Sequence, residues 1–161
     1  MKTKLSAIVV LFFLMACGSS DQKATDDTTA AAPAATEKFI LKASNMQYLG
    51  LGPHNVLIAD QTDPTKAEVF EKIDIGGGKY NLKASNGLFV CDDRAKADSV
   101  FADKTNASDW EQFEIIAVDE TKISLKASSG MYISADLGQG GVLVAVHDHA
   151  SDWEIFSIEK K

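Results

Sequence analysis

The tripeptide His147-Asp148-His149 is the sharpest local cluster of metal-ligating side chains in the sequence. Histidines at i and i+2 on a strand point to one side and can share an ion, with Asp152 as a further oxygen donor. A closed zinc site takes about four protein ligands, and this cluster offers only two or three of them. It also aligns with Lys104-Thr105-Asn106, so it varies a solvated connection in one part of the chain. No metal is expected there. Asp92, Asp93 and Asp98 could face calcium, but that ion takes about six to eight oxygens and their spacing fits no calcium loop. Cys91 reads as a small buried residue, because a free Cys packs as a small hydrophobe. Trp110 and Trp153 could stack on sugar rings. Each stands just before a buried Phe, at matching places, and this favours packing in the core.

No nucleophile, base and acid fall into a recognisable set. There is no Gly-x-Ser-x-Gly, His-Glu-x-x-His or phosphate-loop pattern. The chain is therefore expected to be non-catalytic and to need no cofactor.

These residues are set in a repeat. Leu-Lys-Ala occurs at Leu41-Lys42-Ala43, Leu82-Lys83-Ala84 and Leu125-Lys126-Ala127, at spacings of 41 and 43 residues. Seven residues after each Leu comes an aromatic: Tyr48, Phe89 and Tyr132. Phe70, Phe113 and Phe156 close the copies, the last two within Ala-Ser-Asp-Trp-Glu-x-Phe. Self-similarity at such a period decides the architecture. Within each copy the apolar residues alternate: Phe39, Leu41 and Ala43, then Tyr80, Leu82 and Ala84, then Ile123, Leu125 and Ala127. Period two is the strand signature with one buried face. Asn86-Gly87 and Ser129-Gly130 are hairpin turns. Each copy offers about four strands and the chain about twelve, with Leu41, Leu82, Leu125, Phe70, Phe113, Phe156, Trp110 and Trp153 as the expected core.

The pattern resembles a β-trefoil, and more narrowly the fascin-like branch. It carries the Leu-Lys-Ala start, the Gly-aromatic hairpin, the Gly140-Gly141-Val142-Leu143-Val144 strand and the Trp153-Glu154-x-Phe156 ending. The resemblance covers residues 38–161, with repeats at about 38–75, 76–118 and 119–161. It implies an all-β fold. Copy one departs by placing Ala67 at the Trp position, and copy two lacks the Gly-Gly. The Gln-x-Trp mark of ricin-type sugar sites is absent from the sequence.

The front of the chain sets an address. Lys2 and Lys4 precede an apolar run from Leu5 to Met15, which ends at Leu14-Met15-Ala16-Cys17. The run is far short of the roughly 20 residues a spanning helix needs. It reads as a secretory signal over residues 1–16. The junction resembles a bacterial lipobox, which implies acylation of Cys17 and a bilayer partner. Residues 17–37 have a linker composition, rich in Ala, Thr, Ser and Asp, that cannot bury enough to fold. About 20 flexible residues reach about 25 Å. The formal net charge is −7, and loss of Lys2 and Lys4 makes the mature chain more acidic still. An acidic chain argues against nucleic acid, which needs a basic footprint.

The resemblances together imply a membrane-tethered binding module of a bacterial envelope, outside the cytoplasm. Glycan is the ligand class the fold analogy favours. The alternative is a protein-interaction or structural envelope lipoprotein. Actin-type binding is implied by the family resemblance alone. If glycan binds, copy three is the expected place, with Asp136, Gln139, Tyr132 and His147 as contacts. Gly138-Gln139-Gly140-Gly141 lets backbone approach a ligand.

Overall fold

The computed structural model describes residues 36–161. The signal peptide, Cys17 and nearly all of the linker lie outside the described residues. Twelve strands follow in three sets of four. Lobe one holds β1 (Glu37–Lys42), β2 (Tyr48–Leu51), β3 (Leu57–Gln61) and β4 (Phe70–Gly76). Lobe two holds β5 (Lys79–Lys83), β6 (Phe89–Asp93), β7 (Ser99–Lys104) and β8 (Gln112–Ala117). Lobe three holds β9 (Lys122–Ala127), β10 (Tyr132–Asp136), β11 (Val142–His147) and β12 (Ile155–Lys160).

The first and last strands of each lobe close a ring. β1 pairs β4, β4 pairs β5, β5 pairs β8, β8 pairs β9, β9 pairs β12, and β12 returns to β1, all antiparallel. Closure leaves that barrel without an open edge. The middle strands form hairpins β2–β3, β6–β7 and β10–β11. β11 also pairs β3 and β7, so the hairpins meet one another as a cap. A ring of six strands capped by three hairpins is a β-trefoil.

The alternating residues fill this barrel. Leu41, Leu82, Leu125, Phe70, Phe113 and Phe156 are all buried in one cluster with Phe39, Val90, Val100 and Ile133. Fully burying one such side chain is worth about 1.5–3 kcal/mol. Ile40 faces the other way and is buried in a small cluster with Tyr48 and Ala67. Asn81 and Ser124 hold the matching positions in the other lobes. The Asn81 amide there donates to the carbonyl of Glu111 at 2.8 Å.

Trp110 and Trp153 do not belong to the core. They are 50% and 54% exposed. Each sits in a three-residue 3-10 turn, Asp109–Glu111 or Asp152–Glu154, and the next residue turns inward instead. Glu111 and Glu154 are 3% and 2% exposed. A buried carboxylate needs partners. Glu111 Oε2 accepts from the Ser108 N–H at 2.7 Å and its hydroxyl at 2.6 Å. Glu154 Oε2 repeats this with Ser151 at 2.9 and 2.7 Å. With the Glu pinned inside, the Trp is held outside.

Candidate functional site: two grooves floored by one repeated frame

The outward Trp153 lines a groove of about 410 Å³ in lobe three, with Ser134, Asp136, Leu137, Val146 and His147. β10 brings Asp136 to the groove at its C-terminal end, opposite Val142, and β11 brings His147 from the other end of the hairpin, opposite Tyr132. In every lobe the hairpin carries a register shift just after its aromatic residue. Such a bulge re-aims the side chains that follow.

Asp136 is held in place. It caps the 3-10 turn Leu137–Gln139. Its Oδ1 accepts from the Gly138 N–H at 2.9 Å and its Oδ2 from the Gln139 amide at 2.7 Å. The Gln139 bond, assisted by the Gly138 and Gln139 backbone N–H groups, holds its carboxyl below the usual range. The group stays ionised at neutral pH. A carboxylate has about four lone-pair sites, so acceptor capacity stays open beyond those bonds.

His147 Nε2 lies 3.8 Å from Glu154 Oε1. His149 Nδ1 instead meets Asp148 Oδ1 at 2.7 Å, and that carboxylate raises the affinity of His149 for a proton. The two imidazoles therefore have separate partners. Among the described residues, no three His, Cys, Asp or Glu converge on a point.

Of the four contacts read from sequence, the structure brings Asp136 and His147 together in one groove. Gln139 reaches it through Asp136. Tyr132 does not line it: Lys126 Nζ covers its ring at 5.5 Å. Leu137 and Val146 are residues that sequence reasoning missed, and it places Trp153, weighed as a stacking residue, in the core instead. The repeated Ser-x-x-Glu around each Trp is a capping signature, and it could have shown that the Glu points in and the Trp out.

Lobe two has a counterpart. A groove of about 450 Å³ is lined by Cys91, Asp93, Arg94, Lys104, Asn106 and Trp110 among others. Each of these stands 43 residues before a lobe-three position: Ser134, Asp136, Leu137, His147, His149 and Trp153. Lobe one carries Ala67 where the other lobes carry Trp.

No protein-family model matches the sequence, nor does any curated protein. Solved structures do match. A β-trefoil of BEL superposes with a TM-score of 0.66 at 15% identity, covering 81% of this chain and 97% of that one. The designed three-fold symmetric protein ThreeFoil gives 0.63 at 16%, covering 75% and 96%. SeviL, solved bound to asialo-GM1 saccharide, gives 0.59 at 14%, covering 78% and 98%. At such identity the shared property is the fold, and that fold is the β-trefoil.

Proposed function

We propose that this chain is a non-catalytic glycan-binding module of the fascin-like type, tethered through acylated Cys17 to a bacterial envelope membrane with its trefoil outside the cytoplasm. The observation that carries the reading is Trp153. It stands half exposed in a groove whose polar end is a fixed, ionised Asp136. Carbohydrate recognition asks for this pair: an aromatic face for the apolar side of a sugar ring and an oriented carboxylate for its hydroxyls. Gln139 can donate a further hydrogen bond. A saccharide-bound trefoil among the similar structures is consistent with this reading. The tether rests on the Leu14-Met15-Ala16-Cys17 junction and the short apolar run before it.

The test is a glycan array probed with the chain from residue 18 onward at near-physiological salt. Binding is expected to vanish in Asp136→Ala and Trp153→Ala while the melting temperature holds. For the tether, labelled palmitate should mark the wild-type chain in a bacterial host and leave Cys17→Ser unmarked. Label on the variant would end the lipoprotein reading.

One observation favours a second reading. Leu137, Val146 and Trp153 are 48%, 45% and 54% exposed around the same groove. Clustered apolar exposure marks protein contact surfaces. Silence across the array, with specific capture of an envelope protein that Trp153→Ala abolishes, would favour an interaction lipoprotein.

A further inference from the structure

We propose that the groove of lobe two is a second binding site, selective for a sugar ring that carries a carboxylate. It deepens the glycan reading, yet it concerns a different groove with different lining residues, so the two can fail separately.

The frame is the same in both lobes. Asp93 caps the 3-10 turn Arg94–Lys96 as Asp136 caps its own, accepting from the Ala95 N–H at 3.1 Å. Trp110 is half exposed over its buried Glu111, as Trp153 is over Glu154. The side chains around that frame differ in charge. Arg94 stands where lobe three has Leu137, Asp103 where it has Val146, Lys104 where it has His147, and Asn106 where it has His149. Two apolar side chains and two imidazoles have given way to Arg94, Asp103, Lys104 and Asn106.

The charges are not all equally engaged. Lys96 Nζ bridges Asp93 Oδ2 at 3.2 Å and Asp103 Oδ2 at 3.0 Å. Lys104 meets Asp103 Oδ1 at 3.1 Å and lies 3.9 Å from Asp93. Two lysines thus already neutralise the two carboxylates beside them. Arg94 is the sole arginine of the chain. Its nearest carboxylate is Asp98, 3.8 Å from Nε and beyond hydrogen-bond reach. Among the described residues its guanidinium makes no side-chain hydrogen bond, and about half of the side chain is exposed.

A guanidinium paired only loosely, with no side-chain hydrogen bond, presents a planar fork of donors that matches a carboxylate with two parallel bonds. Trp110 offers an apolar face to a sugar ring in the same groove. Asn106 and Asp93 can donate to and accept from its hydroxyls. Ring plus carboxylate describes a uronic acid residue. Lobe three would disfavour the same residue, because Asp136 is held ionised and no guanidinium stands beside it. The two grooves would then read neutral and acidic residues on one chain. Two linked sites also gain apparent affinity when a single polymer spans them.

The sequence supplies the reporter. It contains two tryptophans, one in each groove. In Trp153→Phe the remaining indole is Trp110, and in Trp110→Phe it is Trp153. Trp153→Phe, made in the chain from residue 18 onward, is titrated with trisaccharides of glucuronate, galacturonate and mannuronate. The controls are the matching neutral trisaccharides and acetate. Saturable change of Trp110 emission is expected with at least one uronate. Added Arg94→Gln should weaken that response about tenfold or more, as loss of a charge-assisted pair does, with the melting temperature unchanged. Silence toward all three uronates would overturn the proposal. So would an equal response to the neutral sugars, an equal response to acetate, or no effect of Arg94→Gln. Silence of Trp153 toward neutral sugars would instead count against the lobe-three reading alone.

Discussion

Lys126 Nζ lies 5.5 Å from the centroid of the Tyr132 ring, and the two residues are cross-strand partners between β9 and β10. The arrangement recurs at Lys42 over Tyr48, 5.1 Å, and at Lys83 over Phe89, 5.4 Å. The most conspicuous repeat in the sequence, a Lys followed six residues later by an aromatic, is thus a cation over a ring at each hairpin base. It is structural, and Tyr132 does not line the lobe-three groove. Cation–π contacts at partly exposed sites are worth about 0.5–1 kcal/mol. A double-mutant cycle of Lys126→Met and Tyr132→Leu is expected to give a coupling of about that size by chemical denaturation. Strict additivity would show that the ring and the ammonium do not interact.

The second prediction comes from three turns that share a backbone and not a sequence. Lobe three takes positive φ at Gly140 (71°) and Gly141 (91°). Lobe two takes it at Ala97 (56°) and Asp98 (53°), and lobe one at His54 (57°) and Asn55 (63°). The left-handed region costs an L-residue roughly 1–2 kcal/mol, partly offset by the smaller entropy loss of a non-glycine chain on folding. Ala97→Gly is expected to stabilise the trefoil by up to about 1 kcal/mol. Gly141→Ala should do the reverse and more. Its Cβ would stand 2.7 Å from the Ala59 carbonyl oxygen, where backbone cannot yield. A loss above about 2 kcal/mol is expected from strain and clash together. Thermal melts of both variants check the pair.

Those turns also mark where the sequence stops being legible. Leu41, Leu82 and Leu125 could be placed in the core because period-two alternation repeated three times leaves one consistent face. The fold followed from that repetition. The positive-φ turns of lobes one and two were hidden, because His54, Asn55, Ala97 and Asp98 carry no glycine signal. The groove was half hidden for another reason. Hydrophobicity puts Trp153 inside and Glu154 outside, and the structure has them the other way round. Two hydrogen bonds from Ser151 decide it, because they satisfy the carboxylate inside. Asp136 and His147, read together from the third repeat, do line one groove. The lobe-two groove went unseen because its lining shares positions, and not residue types, with lobe three.

The ends of the described chain are joined by charge, which makes stability depend on pH. Glu37 in β1 accepts from Lys160 of β12 at 2.7 Å and also bonds Lys72 of β4. The Lys160 hydrogen bond, then the Lys72 one, hold the carboxyl down from about 4.5 to about 2. A group whose pKa is lower in the folded state contributes stability above its unfolded value and loses it as pH falls through the folded one. The contribution of Glu37 is therefore complete above about pH 4.5 and lost toward pH 2. The side chain is about a third exposed, so the effect is modest. Glu37→Gln is expected to melt below the wild type at pH 6, and the gap should close as the pH is lowered to about 2. A gap that stays constant with pH would assign the difference to packing.

Cys91 provides a check on how closed the floor of the lobe-two groove is. It occupies the position of Gly50 and Ser134 and is 1% exposed. Burial pushes its thiol up to about 12, with Lys104 nearby pulling the other way and Asp103 reinforcing the rise. The Sγ is 3.5 Å from Asp103 Oδ1, a contact the thiol can make only as a donor. Thiol reactivity follows the thiolate, so this one should be inert although it lines a groove. In the chain from residue 18 onward it is the sole thiol. Ellman's reagent at pH 8 is expected to leave the folded protein unreacted over minutes and to titrate one thiol at once in urea. Prompt reaction without denaturant would mean that the groove opens to its floor. The Arg94 and Trp110 geometry argued for a uronate would then have to be redrawn around a deeper cavity.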